Sequence, residues 1–169
     1  MNLNRQSVTV AVADADHERR SGYERLLQGE AGITLLTNGA ASEKAGSGRA
    51  FVERRIKPRA NLTLIENEVA RIKRLKPLVL LINLNLCTDE DSALLLSLRH
   101  ECPEVQLVFL ADDSIQEDKI LKVLEIGARG YLKYETVRLH LSRAVQVVSQ
   151  GEAWVPRKML GNIMERVLN

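Results

Sequence analysis

Apolar residues along the chain fall into short continuous runs separated by longer stretches with helical spacing. Val8–Ala13, Ile33–Thr37, Leu78–Leu86, Val105–Leu110 and Tyr131–Lys133 are the runs, and each reads as a strand. The run Leu78–Leu86 is apolar almost throughout, with Asn83 as its first polar residue. Such evenness predicts a central parallel strand buried on both faces, since a half-exposed strand would alternate. Between the runs, apolar residues recur every three or four positions, as in Tyr23, Leu26 and Leu27, or Ile65, Val69 and Ile72. They predict helices over His17–Gln28, from Asn61 or Thr63 to Arg74, and over Asp89–His100, the last stopped by Pro103. A further helix carries Ile120, Leu121, Val123, Leu124 and Ile126 behind a capping box of Ser114 and Glu117. Thr136 is placed to cap a helix that Gly151 closes, and Pro156 suits the first turn of a last helix through Leu168. Strand and helix alternate five times, which predicts an α/β fold with a doubly wound, five-stranded parallel sheet and an extra C-terminal helix.

The alternation breaks once. Residues 38–60 are rich in Gly, Ser, Ala, Lys and Arg, so 39–62 reads as an insertion with a mobile loop. The expected organisation is one domain over 1–152 followed by a linker helix over 153–169. Charge changes this picture little. From Arg49 to Lys76 there are nine Lys/Arg against three Asp/Glu, while the rest of the chain is slightly acidic. One basic segment (Arg49, Arg54, Arg55, Lys57, Arg59) on a near-neutral body reads as a solvated loop rather than a DNA-binding footprint. Arg5, Arg19 and Arg20 are too scattered to extend it. Aromatic residues make up 4% of the chain, too few for a base-stacking surface. Cys87 and Cys102 lack metal-type spacing, and neither a signal peptide nor a run of transmembrane length is seen, so a cytoplasmic protein without membrane contact is expected. His17, His100 and His140 are dispersed and pair recognisably with no nucleophile, so an enzyme is not expected.

In open parallel sheets, chemistry sits outside the carboxyl ends of the strands, which directs attention first to Asn83 and Asn85. The segment Gly127–Leu132, reading GARGYL, and the later Gln150–Trp154, reading QGEAW, resemble the receiver domains of NarL/LuxR-type response regulators, of the CheY-like class. Leu84-Asn85-Leu86 matches the stretch after the phosphoacceptor in that family. The resemblance implies a pocket with a nucleophilic Asp, two acidic residues holding Mg²⁺, a Ser or Thr, and a Lys. Carried over, the first acid is Asp14. The second falls on Ala15, with Asp16 one place further on. The nucleophile falls on Asn83, a carboxamide that cannot form an acyl phosphate. The hydroxyl falls on Ala111 or Asp112, and the Lys on Lys133, or on Tyr134 by the family's spacing. The resemblance therefore implies a degenerate pocket, a pseudo-receiver with neither a catalytic residue nor a Mg²⁺ or other cofactor. Within it, Lys133 is expected to pair with Asp14, and Asp112 and Asp113 to be solvated loop charges or stabilisers of a helix N-terminus rather than metal ligands.

The resemblance and the altered pocket together imply a non-enzymatic regulatory domain of a LuxR/NarL-type transcription regulator. It is expected to act as a homodimer and to reach DNA only through a C-terminal helix-turn-helix that this chain does not contain. Two other readings stand beside it. One is a phosphorylatable receiver using a relocated Asp, such as Asp16 or Asp89. The other is a cyclic di-GMP sensor, because Trp154-Val-Pro-Arg157 resembles a ligand motif of LuxR-type regulators, with Pro156 in place of its hydroxyl residue. The last helix carries Met159, Ile163, Met164 and Val167 on one stripe, which can pack on its own domain or on a second copy.

Overall fold

The computed structural model describes residues 6–37, 58–87 and 92–169. Five parallel strands, β1 (Val8–Ala13), β2 (Ile33–Leu35), β3 (Val79–Asn83), β4 (Gln106–Ala111) and β5 (Gly130–Lys133), form one sheet in the order β2-β1-β3-β4-β5. Helices α1 (His17–Gln28), α2 (Pro58–Leu75), α3 (Ala93–Glu101), α4 (Glu117–Ile126), α5 (Val137–Ser149) and α6 (Arg157–Leu168) surround it. All five residues of β3 are buried, as its uninterrupted apolar run requires.

Successive residues of the strands point to opposite faces, and this alternation sorts the core into two layers. Val10, Val12, Leu81, Val108, Leu110 and Leu132 meet Tyr23 and Leu27 of α1 and Leu141, Val145 and Val148 of α5. Ala11, Leu80, Ile82, Leu107 and Phe109 meet Val69 and Ile72 of α2, Leu95 and Leu98 of α3, and Ile120 and Val123 of α4. Each fully buried Leu, Ile or Phe contributes about 1.5–3 kcal/mol, so the two layers fix the register of the sheet. The topology changes direction between β1 and β3, which places the ends of β1, β3 and β4 around one crevice.

Several expected boundaries are corrected. The third strand ends at Asn83, and Leu84–Cys87 turn into a single 3₁₀ turn, so the apolar run is longer than the strand it feeds. Helix α2 begins at Pro58 rather than at Asn61 or Thr63; the fixed φ of proline suits a first helical turn. Residues 58–62 of the expected insertion are thus helical, while 39–57 lie outside the described residues. So do Asp89 and the basic residues Arg49, Arg54, Arg55 and Lys57. Helix α3 begins at Ala93 instead of Asp89, and Ser92 before it adopts a left-handed conformation at φ 49°. Ser114 does not cap α4: Gln116 occupies the N-cap, while the Ser114 N–H and hydroxyl turn back to Asp112 Oδ1. Thr136 stands at the N-cap of α5, but its hydroxyl donates to the Lys133 carbonyl at 3.2 Å rather than accepting from the helix.

The chain after α5 returns to the sheet. Trp154 N–H donates to the Arg129 carbonyl and Tyr131 N–H to the Trp154 carbonyl, both at 3.0 Å, a one-residue parallel bridge at the start of β5. Helix α6 then folds back onto its own domain. Met159 joins the α2–α4 layer, and Arg166 reaches Asp118 at 2.9 Å and Glu125 at 3.0 Å on α4.

Candidate functional site

The crevice is built from the start of α1, the end of β3 and the junction of β5 with α5. Asp16 is the N-cap of α1 and accepts from the Arg19 N–H at 3.1 Å. This cap places Arg19 in the first turn. Its side chain leans back toward the helix N-terminus, as helical side chains do, and so reaches the residue that follows β1. Arg19 Nε donates to Asp14 Oδ2 at 2.6 Å and Nη2 to Asp14 Oδ1 at 2.8 Å, a bidentate pair. The Asp14 side chain is 1% exposed and that of Arg19 26%. A third donor, the Asp16 N–H, reaches Asp14 Oδ1 at 2.8 Å.

Asn83, fully buried, closes the site from below. Its Nδ2 donates to Asp14 Oδ2 at 2.8 Å and to the Tyr134 hydroxyl, while its Oδ1 accepts the Asn85 N–H at 2.9 Å. Both amide protons and the carbonyl oxygen are thereby paired, as burial requires. Tyr134 completes a circuit, because the Arg19 guanidinium lies 5.1 Å from the centroid of its ring. Arg19, Asp14, Asn83 and Tyr134 thus form a closed ring of contacts in which every member touches two others.

The ionisations follow from these contacts. Burial pushes the Asp14 carboxyl up, but hydrogen bonds from Arg19, the Asp16 N–H and Asn83, with the charge of Arg19, together hold it below the ordinary carboxylate value. The same carboxylate drives the Arg19 pKa up. Burial raises the Tyr134 phenol, partly offset by the Asn83 amide, so the ring carries one anion and one cation at neutral pH.

Of the residues expected in the pocket, Asp14, Asp16 and Asn83 come together. Ala15 is exposed between them, and Asn85 is exposed, contributing its backbone N–H. Ala111 is buried at the end of β4, and Asp112 is engaged by Ser114. Lys133 does not pair with Asp14. Its ammonium sits 3.1 Å from Asp113 Oδ1 with half its side chain in solvent, at the last residue of β5, and the crevice position falls to Tyr134 in the 3₁₀ turn Tyr134–Thr136 that follows. Asp113 is thus a solvated loop charge that also pairs with Lys133. The sequence pattern points to Tyr134 only as the family-spacing alternative to Lys133, and it places Arg19 nowhere in the pocket. The available signal was an Arg three residues after an N-cap Asp, within one turn of a strand-end carboxylate.

Trp154 and Arg157 are placed differently from each other. The Trp154 indole packs on the α1–α5 layer with its centroid 5.8 Å from that of His140, whereas Arg157 is exposed at the first position of α6. Among the described residues no group of three His, Cys, Asp or Glu is arranged to hold a metal ion. No described helix is long and apolar enough to cross a membrane.

This topology and site position define the fold of a response-regulator receiver domain, and comparison with known proteins agrees. No protein-family model matches the chain. The chain is 24% identical over 165 residues to the transcriptional regulatory protein DegU of Brevibacillus brevis; the match takes in 96% of this chain and 59% of DegU. Among solved structures, a LuxR-family two-component response regulator from Aurantimonas sp. SI85-9A1 superposes with a TM-score of 0.67 at 14% identity, covering 96% of this chain and 99% of the other. The isolated receiver domain of RcsB from Salmonella enterica serovar Typhimurium, in its apo form, gives 0.63 at 15%, covering 96% and 98%. RcsB is also a neighbour as dimers bound to DNA, with a TM-score of 0.62 at 14% identity, covering 94% of this chain and 68% of that one. The fold of this chain is that of LuxR-family receiver domains.

A receiver pocket implies a Mg²⁺ site, and the residues here do not fit one. A hard divalent cation needs several oxygen ligands. Among the described residues Asp14 is the buried carboxylate of the crevice and both of its oxygens already accept from a guanidinium, the Asp16 carboxylate is half-exposed and caps α1, and Asn83 turns its NH₂ rather than its oxygen toward Asp14.

Proposed function

We propose that this chain is a non-enzymatic, receiver-like regulatory domain of a LuxR/NarL-type transcription regulator that works without aspartyl phosphorylation. The observation that carries the reading is Asn83. It stands at the end of the central strand, where the resemblance puts the phosphoacceptor, and all three of its side-chain hydrogen-bonding positions are satisfied within the protein. A carboxamide nitrogen has its lone pair delocalised into the carbonyl, and its oxygen is uncharged, so neither atom attacks a phosphoryl donor. The relocated acceptor Asp16 is engaged as the N-cap of α1, which gives its carboxylate a structural role.

Regulation in this reading comes through protein contacts, with a homodimer as the acting form and DNA reached through a separate domain, as RcsB dimers on DNA suggest by analogy. Incubation with acetyl phosphate and Mg²⁺ followed by intact mass measurement tests the chemical part. No phosphoryl adduct is expected; a stable adduct that disappears in Asp16→Asn would establish the relocated-acceptor reading instead. Light scattering tests the assembly, with a dimer expected and a strict monomer contradicting it.

A further inference from the structure

We propose that Arg19 is a built-in cation that takes the place of a divalent metal in this pocket, so that the site excludes Mg²⁺ by occupancy as well as by the loss of an acidic ligand. The inference deepens the pseudo-receiver reading and can fail separately from it. The geometry supplies the reasons. Arg19 binds both oxygens of Asp14 at 2.6 and 2.8 Å, the edge a metal would have to coordinate. Its charge is directed there by the α1 cap, since the Asp16 carboxylate holds the Arg19 backbone at 3.1 Å and lies 3.8 Å from Nη1. Its other face covers the Tyr134 ring at 5.1 Å. A metal entering at Asp14 would have to displace a bidentate guanidinium from a carboxylate that is 1% exposed, and would bring two unit charges where one is already neutralised.

The arrangement also explains why position 83 carries an amide. With Arg19 as the cation, a carboxylate at 83 would lie against Asp14 Oδ2, where the Asn83 Nδ2 now donates at 2.8 Å, and one guanidinium would face two anions. Arg19 and Asn83 are thus a matched pair: one supplies the single positive charge, the other removes the second negative one. Arg19 further links the start of α1 to the β5–α5 junction through Tyr134, so the same residue that blocks the metal fixes the crevice in one arrangement.

The test is Mn²⁺ binding by electron paramagnetic resonance to the full chain and to three variants, N83D, R19Q and R19Q/N83D, each first checked for native circular dichroism. The wild type and N83D are expected to leave Mn²⁺ free, and R19Q/N83D to bind it at least tenfold more tightly than N83D. Binding by N83D equal to that of the double variant would overturn the proposal, since Arg19 would then exclude nothing. A folded double variant without affinity would overturn it too. Should R19Q/N83D not fold, R19A/N83D is read against N83D by Mn²⁺ broadening of the Asp16 and Asn85 amide resonances; broadening in R19A/N83D but not in N83D supports the proposal, and equal broadening or none in either contradicts it. A phosphoryl adduct on the wild type would instead defeat the pseudo-receiver reading and leave this test to stand by itself.

Discussion

At the scale of the residue, the pocket is a charge balance with few members, and its consequences are directional. Replacing Asn83 by Asp removes a donor to Asp14 and sets a second carboxylate beside it. N83D is expected to lose about 1–3 kcal/mol at neutral pH by urea unfolding, and unchanged stability would show that the ring is loosely held. The pH dependence has a definite sign. Because the folded Asp14 carboxyl lies below its ordinary 3.8, its stabilising contribution is fully present above that value and is lost as pH falls through the lower folded one. In R19A the largest opposing influence is gone, so Asp14 should titrate higher than in the wild type. The variant should then lose about 3 kcal/mol at neutral pH, and part of this deficit should close as pH falls into the acid range where the variant's Asp14 protonates before the wild type's, measured as urea midpoints. A deficit that stays constant with pH would mean that Arg19 contributes packing rather than charge. The Asn at position 83 was readable from sequence because it interrupts an apolar run at a strand end. Arg19 was less so, because its one signal, an Arg three residues after an N-cap Asp, does not by itself distinguish a helix-start Arg that folds back on a carboxylate from one that extends into water.

At the scale of the element, the sequence announced all five described strands and all six described helices, since each strand is a run and each helix a stripe. Their ends were less legible where capping is carried by local turns. Ser114 with Glu117 had the spacing of a capping box, yet Asp112 captured the Ser114 N–H and hydroxyl first. Lys133 followed the family's letter, but the chain leaves β5 there and the next residue, Tyr134, in the 3₁₀ turn that follows, meets Asn83 in the crevice instead. Helix α6 illustrates a choice the stripe left open. Of the expected stripe, Met159 is buried against the α2–α4 layer and Ile163 is half-buried, while Met164 and Val167 remain exposed with Leu160, so only the first turns of α6 pack inward. Met159→Ala should cost about 2–4 kcal/mol and release α6, seen as faster amide exchange over 157–168 with the rest of the fold protected. Uniform exchange across the chain would mean that α6 unfolds only with the whole domain. At the turn after α4, Gly127 has φ +125°, and a Cβ there would meet Arg99 Nε at 2.8 Å. Gly127→Ala should therefore destabilise by about 1–3 kcal/mol in thermal unfolding, more than alanine at the open helical position Gly161, where a gain of up to about 1 kcal/mol is expected.

At the scale of the whole molecule, a sheet whose layers are complete and a crevice whose polar groups are mutually paired describe a receiver frame held in one arrangement. Phosphorylation in such a frame would have to add charge to a site that is already neutral and closed. The chain spans 59% of the length of its curated relative DegU, and the role proposed here is that of a module within a transcription regulator, contributing contacts rather than chemistry. The most direct measurement is ¹⁹F nuclear magnetic resonance of beryllofluoride with Mg²⁺ and the wild-type chain. That complex forms only on a nucleophilic carboxylate in a metal-bearing pocket. A closed, metal-free crevice predicts free beryllofluoride resonances alone; a bound resonance that depends on Mg²⁺ would contradict it, because some carboxylate of this chain would then be acting as an acceptor.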